Sequence, residues 1–234
     1  LSDFDWYRSL NARWFRIRTK VAVDEETDDA VAPEEISEQY ERWFTPEGDG
    51  STKMPVIDTG LLSAIRKPVV AWLNDRTDEN VLLVTGEKGM GKSAALSRLH
   101  EQIGKEFPDI IVQRAVVPAK TSAREAVYTL IGDLLDTNME EGPVALARSD
   151  EKRQPTIIML DEAQNLFLSE VGYLDGWRAL IDLTNTRLEN LFWVIAINNQ
   201  SWAYLCNVFG REYQMRNVVR VKRWSQGEIR SLIL

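Results

Sequence analysis

Residues 81–93 have the sequence VLLVTGEKGMGKS, in which an apolar run leads directly into a glycine-rich turn. The turn satisfies the pattern G-x-x-x-x-G-K-[S/T] and carries one further glycine in its middle. Glycine permits positive φ and close approach of the backbone, so successive N–H groups can point into such a turn and surround a phosphate chain. We therefore expect eight consecutive residues to bind the phosphates of a nucleotide: Gly86, Glu87, Lys88, Gly89, Met90, Gly91, Lys92 and Ser93.

The residues on either side of this turn support the same interpretation. The apolar run 81–85 predicts a strand, and residues 92–107 predict a helix whose positive end would face the phosphates. In this arrangement Lys92 would contact the β- and γ-phosphates, and the Ser93 hydroxyl would hold Mg²⁺. A glycine-rich turn that binds nothing is the alternative, and the strand and helix in the required order argue against it.

A second signal lies at residues 156–164, which have the sequence TIIMLDEAQ. The continuous apolar run 156–160 is typical of a strand buried on both faces. Asp161 and Glu162 follow it, and the carboxyl edge of a parallel sheet is where α/β proteins bind ligands. Asp161 suits the role of nucleotide contact and Mg²⁺ holder, and Glu162 that of the general base that polarises the attacking water. A strand end that simply meets solvent is the alternative, and the phosphate turn upstream argues against it.

A third strand is predicted at 191–197 and is followed by Asn198, Asn199 and Gln200. At the same edge of the sheet, a side-chain amide could hydrogen-bond the attacking water or the γ-phosphate. A polar turn after a strand would account for two of these three residues. Asn198 is the favoured catalytic candidate, and Asn199 is kept as the alternative.

From residue 59 onward the chain alternates between helical and extended patterns. Connections of this length between strands favour right-handed crossovers, so we expect an α/β fold of three layers with a parallel sheet of about five strands. Residues 137–155 form a polar interruption without a predicted element. The predicted strands are at 81–85, 110–116, 156–160, 191–197 and 217–221, and the predicted helices at 61–73, 92–107, 122–135, 176–188, 202–209 and 225–234.

The composition excludes several classes of protein. The 234 residues are 44% hydrophobic and 27% charged, which is typical of a globular protein with a buried core. The one cysteine, Cys206, forms no internal disulfide, and with the single histidine, His100, it leaves no set of zinc ligands. No apolar run approaches the ~20 residues that span a bilayer, so we expect a cytoplasmic protein without a membrane partner.

The charge of the chain is unevenly distributed. The formal net charge is −8, but residues 21–50 contain eleven acidic residues against one basic residue, Arg42, so the rest of the chain is slightly basic. The acidic balance therefore neither supports nor excludes DNA as a partner. Residues 1–20 interleave aromatic and basic side chains, which predicts an arm packed on the core, with a nucleic-acid contact as the alternative.

In order and spacing, the turn 86–93, the apolar run to Asp161 and Glu162, and the strand ending at Asn198 resemble the Walker A, Walker B and sensor-1 motifs of AAA+ ATPases. The resemblance implies a P-loop NTPase core that binds ATP with Mg²⁺ and hydrolyses the ATP. It also implies an N-terminal arm and acidic linker at 1–58, an ATPase core at 59–223 and the start of a truncated helical lid at 224–234. Within the family, the chain is most similar to the clade of origin-recognition and STAND-type ATPases, and there to transposition regulators.

The same resemblance implies partners and one more catalytic residue. In AAA+ proteins an arginine before the strand that follows sensor 1 reaches the nucleotide site of the neighbouring subunit; Arg211 matches it best, and Arg216 is the alternative. The implied partners are further copies of the chain in a ring or filament, with DNA or a DNA-processing protein. The alternative is a STAND-type signalling or defence switch, in which ATP binding drives oligomerisation of an attached effector.

Two other nucleotide-binding classes fit less well. Residues 161–164, DEAQ, are similar to the box of DEAD-type helicases, but we find no second motor domain with further arginine motifs. A small-molecule kinase also begins with a phosphate loop, but it would need a substrate lid that we do not find in the sequence.

Overall fold

A parallel β-sheet forms the centre of the part of the chain that the computed structural model describes, namely residues 60–119, 121–167, 174–186, 188–209 and 217–222. Its five strands are β1 (Val81–Gly86), β2 (Ile111–Val116), β3 (Thr156–Asp161), β4 (Leu191–Asn198) and β5 (Asn217–Arg220). They lie in the order β2-β3-β4-β1-β5, and all neighbouring pairs are parallel. β4 therefore lies between β3 and β1, although it follows both of them in the chain.

The central strands are apolar because they are covered on both faces. Successive side chains of a strand point to opposite faces of the sheet. In β4, Phe192 and Val194 accordingly belong to one core cluster, whereas Trp193 and Ile195 belong to the other. β2 lies at the edge of the sheet and is only partly buried.

Helices cover each face of the sheet. α1 and α2 pack on the first face, where Ile65 and Leu96 are fully buried, and α3 and α5 pack on the second, where Ile131 and Trp177 are buried. Among the described residues the helices are α1 (Leu61–Leu73), α2 (Lys92–Glu106), α3 (Arg124–Leu135), α4 (Pro143–Asp150), α5 (Asp175–Thr184) and α6 (Asn199–Phe209). The predicted three-layer α/β fold is thus confirmed, and each predicted strand agrees with an observed one to within a residue at either end.

The sequence prediction was wrong about helices in three places. The interval 137–155 contains α4, whose Leu146 is its buried apolar residue, so its apolar periodicity is weak. The predicted helix 176–188 ends at Thr184, because the Thr186 N–H donates to the Leu183 carbonyl three residues back and so closes the last turn. The predicted helix 202–209 begins at Asn199, because the preceding residue caps it.

Several other predictions lie outside the described residues. These are the arm and linker at 1–58, the helix at 225–234 and the lid that would begin at 224. The domain boundaries at 58 and 223 therefore stay predictions. Within the described ranges, no helix combines the length and the apolar character that crossing a membrane requires.

Gly176, in the first turn of α5, is closely surrounded by backbone atoms of two other segments of the chain. Its N–H donates to the Ser122 carbonyl at 2.6 Å. A Cβ at this position would lie 2.7 Å from the carbonyl oxygens of both Leu166 and Thr121. The absence of a side chain here allows α5 to pack against the segment that follows β3, which carries residues of the candidate site.

We predict that Gly176→Ala destabilises the fold. The added methyl group would force carbonyl groups apart, which typically costs about 1–3 kcal/mol. Gly104→Ala is the matched control, because Gly104 is an exposed residue of α2 with no atom within 4 Å of a built Cβ; there we expect no loss and a gain of up to about 1 kcal/mol from helix propensity. Urea denaturation midpoints measure both, and an unchanged midpoint for Gly176→Ala would contradict the packing described.

Candidate functional site

The sheet brings three of the predicted motifs together at the carboxyl ends of β1, β3 and β4. The register aligns Gly86, at the end of β1, with Asn198, at the end of β4. On the other side of β4, Leu160 of β3 aligns with Ile195. Asp161 is the next residue and the last of β3. Residues that are more than a hundred positions apart in the chain therefore lie at one edge, where parallel α/β sheets bind ligands.

The turn between β1 and α2 has the backbone conformation that its glycines allow. Gly89 and Gly91 have φ values of 81° and 82°, in the left-handed region that other residues rarely adopt. Gly91 is the residue from which α2 begins, so the unpaired N–H groups and the positive end of that helix face the turn. Backbone N–H groups arranged in this way suit an anion such as a phosphate.

Lys92 lies inside this turn. Its side chain is 7% exposed, and Nζ donates to the carbonyl oxygens of Gly86 at 2.8 Å and Glu87 at 2.9 Å. Burial lowers the pKa of Lys92, and the negative charges of Glu162 and Asp161 act in the opposite direction. The Lys92 amino group is therefore held by the turn to which it belongs, at the carboxyl edge of the sheet.

Asp161 is held by contacts to both of its carboxylate oxygens. It is 1% exposed, Oδ1 accepts the N–H of Glu162 at 3.0 Å, and Oδ2 lies 3.2 Å from the guanidinium of Arg114. Arg114, on β2, also donates to the Ser97 Oγ in α2 at 2.5 Å. The buried negative charge of Asp161 thus has a cationic partner, as buried charges require.

Glu162 has an unusual backbone. Its φ of 56° and ψ of 37° place it in the left-handed region, which costs a residue other than glycine about 1–3 kcal/mol. A 3₁₀ turn, Ala163–Leu166, follows it, and Asn165 ties that turn to the Val117 carbonyl with a 2.8 Å hydrogen bond. The chain therefore turns sharply at the end of β3, and the Glu162 carboxylate accepts a hydrogen bond from Nε2 of Gln164.

The two candidate asparagines have different surroundings. Oδ1 of Asn198 accepts the Ser201 N–H at 2.7 Å and so caps the start of α6. Oδ1 of Asn199, the first residue of α6, accepts the Thr85 hydroxyl at 2.7 Å. Asn198 belongs to β4 and is level with Gly86, whereas Asn199 belongs to the helix.

Sequence reasoning missed two residues of this site. Arg114 is a charged residue within an otherwise mostly apolar strand, which is a signal that could have been followed. Gln164 ends the segment 156–164 and the helicase-like box, but the sequence assigns it no role of its own; it is buried, and its amide contacts Glu162. The other candidates, Arg211 and Arg216, lie outside the described residues.

The described residues contain no group of three or more His, Cys, Asp or Glu side chains that could hold a metal ion by themselves. Mg²⁺ in nucleotide sites is commonly held by one or two protein oxygens together with phosphates. The exposed Ser93, in the first turn of α2, and Asp161 are the predicted Mg²⁺ ligands, and both belong to the elements at this edge.

Solved structures with the same fold include proteins of archaea and of an insect. The first is a chain of the Drosophila ORC bound to DNA, with 14% identity, a TM-score of 0.57, and coverage of 97% of this chain and 57% of that chain. The second is Cdc6p from Pyrobaculum aerophilum, with 15% identity, a TM-score of 0.57, and coverage of 79% and 51%. The third is the Aeropyrum pernix ORC1 protein in complex with DNA, with 19% identity, a TM-score of 0.54, and coverage of 82% and 52%.

These similarities establish the fold. The chain spans about half the length of the solved structures that it matches. No curated protein sequence matches the chain at a significant level.

The family comparison concerns the segment that carries the site. A family model described as AAA domain matches residues 75–205, which include the phosphate turn, Asp161, Glu162 and Asn198. Because the match covers more than half of the 234 residues and the fold agrees with it, this chain belongs to the AAA domain family of P-loop ATPases.

Proposed function

We propose that this chain binds ATP with Mg²⁺ at the carboxyl edge of the sheet and hydrolyses it to ADP and phosphate. The observation that carries the proposal is that the sheet places the turn with Lys92, the buried Asp161 and Glu162 at one edge, at the ends of the two strands that flank β4. A phosphate-binding turn with a cation, a buried acid and a second acid beside it is what phosphoryl transfer to water requires.

Binding of the triphosphate would use the backbone and Lys92. The N–H groups of residues 86–93 would surround the phosphates at the positive end of α2. The ammonium of Lys92, which now donates to two carbonyl oxygens of the turn, would donate to the β- and γ-phosphate oxygens instead. Ser93 and Asp161 would hold Mg²⁺, which neutralises charge on the phosphates when bound.

Hydrolysis would use Glu162 as the general base. Its carboxylate would accept a proton from water as the water attacks the γ-phosphate, and the amide of Asn198 would orient that water or the γ-phosphate. Arg211 of a neighbouring subunit would offset the negative charge of the γ-phosphate as it leaves, and Arg216 is the alternative. Assembly into a ring or filament would then be needed for full activity.

Coupling of hydrolysis to a macromolecule is the further part of the proposal, and DNA is the substrate that we favour. Two proteins with the same fold were solved with DNA. In addition, residues 211–230 contain six basic residues against two acidic ones. The alternative is a STAND-type switch, in which ATP binding drives oligomerisation of an attached effector.

We predict that single substitutions separate ATP binding from hydrolysis. Lys92→Ala should weaken ATP binding by about 10- to 150-fold, because a charge-assisted hydrogen bond is worth about 1.5–3 kcal/mol. Glu162→Gln should bind Mg·ATP normally but lose turnover by about 10²- to 10⁴-fold, which is the usual contribution of a general base. Asp161→Ala should weaken the Mg²⁺-dependent part of binding. Nucleotide titration and phosphate release measure the two effects.

Lys105→Ala is the control for the first variant, since Lys105 is an exposed lysine in the last turn of the same helix. Near-normal ATP affinity in Lys92→Ala would remove the phosphate-turn assignment. Equal turnover in the unmodified chain and in Glu162→Gln would mean that the base lies elsewhere.

A mixing experiment tests the shared site. Arg211→Ala should bind ATP but hydrolyse little, because it cannot complete the site of its neighbour. An equal mixture with Glu162→Gln should recover activity, since about one quarter of randomly formed interfaces pair an intact arginine with an intact base. Arg216→Ala mixed in the same way decides between the two arginines. If sedimentation confirms assembly and no mixture recovers activity, the shared site is wrong and a monomeric switch is favoured.

We also predict that double-stranded DNA increases the rate of ATP turnover. The apparent affinity for DNA should fall by tenfold or more between about 50 and 200 mM salt, because binding through phosphates releases counterions. Polyglutamate of equal charge is the control for a general polyanion effect. Turnover that is indifferent to DNA at low salt, in a chain that still assembles with ATP, would favour the signalling switch.

A further inference from the structure

Gln164 is a buried amide that joins two parts of the candidate site. It is the second residue of the 3₁₀ turn after Glu162, and its side chain is 7% exposed. Nε2 donates to the Glu162 carboxylate, and Oε1 accepts the backbone N–H of Asn198 at 3.3 Å. One side chain therefore connects the proposed base, after β3, to the end of β4.

The chemistry of the two partners fixes the orientation of this amide. A carboxylate can only accept a hydrogen bond, and a backbone N–H can only donate one. The NH₂ group must therefore face Glu162 and the oxygen must face Asn198, so the assignment does not depend on which end of the amide is labelled as nitrogen. A carboxylate at position 164 would satisfy Asn198 but repel Glu162, and an alkyl group would satisfy neither.

The 3₁₀ turn is held by other contacts. Asn165 binds the Val117 carbonyl through its side chain, and its backbone N–H donates to the Glu162 carbonyl at 2.9 Å. The hydrogen bonds of the Gln164 amide therefore fix the Glu162 carboxylate and the end of β4 and are not needed to hold the turn itself. The end of β4 pairs with the end of β1, where Gly86 lies level with Asn198, so Gln164 joins the proposed base to the strand end beside the phosphate turn.

We propose that Gln164 is a positioning residue for hydrolysis. Its amide ties the Glu162 carboxylate to the backbone of Asn198 at the end of β4, and so holds that carboxylate beside the phosphate turn. This inference rests on the proposed ATPase function. It predicts an effect on the chemical step and little effect on nucleotide binding, because the side-chain hydrogen bonds of Gln164 go to Glu162 and Asn198.

The first test compares Gln164→Leu with Asn190→Leu. Asn190 is a partly buried amide just before the other end of β4, where its Nδ2 binds the Asp150 carbonyl at 3.0 Å, so its loss has a comparable structural cost without contact to the site. Gln164→Leu should lower kcat by about 10- to 100-fold, as expected for a misplaced catalytic group. It should leave ATP affinity within about twofold, whereas Asn190→Leu should leave both quantities within about twofold.

The second test uses a charged variant and a double variant. Gln164→Glu keeps an acceptor for the Asn198 N–H but puts a carboxylate where the Glu162 carboxylate needs a donor, so it should lower kcat by about 10- to 100-fold while ATP affinity stays within about twofold. The double variant Glu162→Gln, Gln164→Leu should be no slower than Glu162→Gln alone, within about twofold, because Gln164 acts through Glu162.

The outcomes separate this inference from the function on which it rests. Unchanged kcat in both Gln164 variants, or a further loss in the double variant, overturns the inference while Glu162→Gln keeps its defect. Unfolding of both Gln164 variants, seen by circular dichroism, assigns the residue a structural role and also overturns it. Absence of ATP turnover in the unmodified assembled chain, by contrast, overturns the proposed function itself.

Discussion

The site depends on the two-sided pairing of β4. A buried strand must satisfy its backbone N–H and C=O groups on both sides, and β4 does so by pairing with β1 on one side and β3 on the other. Neighbouring strands lie about 4.8 Å apart, so the phosphate turn after β1 and the carboxylates after β3 are separated by roughly 10 Å at the edge. The backbone pairing sets this distance, and the end of β4 lies midway between the two groups. The sheet thus determines where each proposed group lies.

Electrostatics imposes the second constraint. Lys92, Arg114, Asp161 and Glu162 bring two positive and two negative charges into a region with limited access to water. Buried charges are tolerated when each has a partner, and here carbonyl oxygens, a guanidinium and an amide supply the partners. A triphosphate in the proposed site would add negative charge next to Lys92, whose ammonium donates to two neutral carbonyl oxygens and could exchange them for phosphate oxygens.

Much of the fold follows from the sequence because the signals are local. The apolar runs of β1, β3 and β4 are long and uninterrupted. The turn 86–93 has glycine at the spacing of a phosphate-binding turn, and Gly89 and Gly91 have positive φ there. The insertion of β4 between two earlier strands is a long-range result, which no local pattern encodes. α4 was missed because it has only eight residues and buries one apolar side chain, Leu146, and its role depends on Asp150 meeting backbone N–H groups some forty residues away.

In the candidate site, too, local sequence signals identify some residues and long-range contacts determine the others. Lys92, Asp161 and Glu162 stand in motifs with fixed spacing, so their types and order were sufficient to select them. Arg114 and Gln164 act through contacts made in three dimensions, to Asp161 and to Glu162, and neither position is marked by spacing. The left-handed backbone of Glu162 is likewise a product of the turn that follows it.

The position of β2 at the edge of the sheet affects how the protein behaves in concentrated solution. Within the described part of the chain β2 pairs on one side only, and Ile111 and Val116 are exposed at its two ends. Such an edge can add a strand from another molecule, and charged side chains are the usual protection. The charge that β2 possesses, on Arg114, is drawn toward Asp161. A lysine in place of Val116 would therefore be the substitution of choice for preparing the protein at high concentration without precipitation.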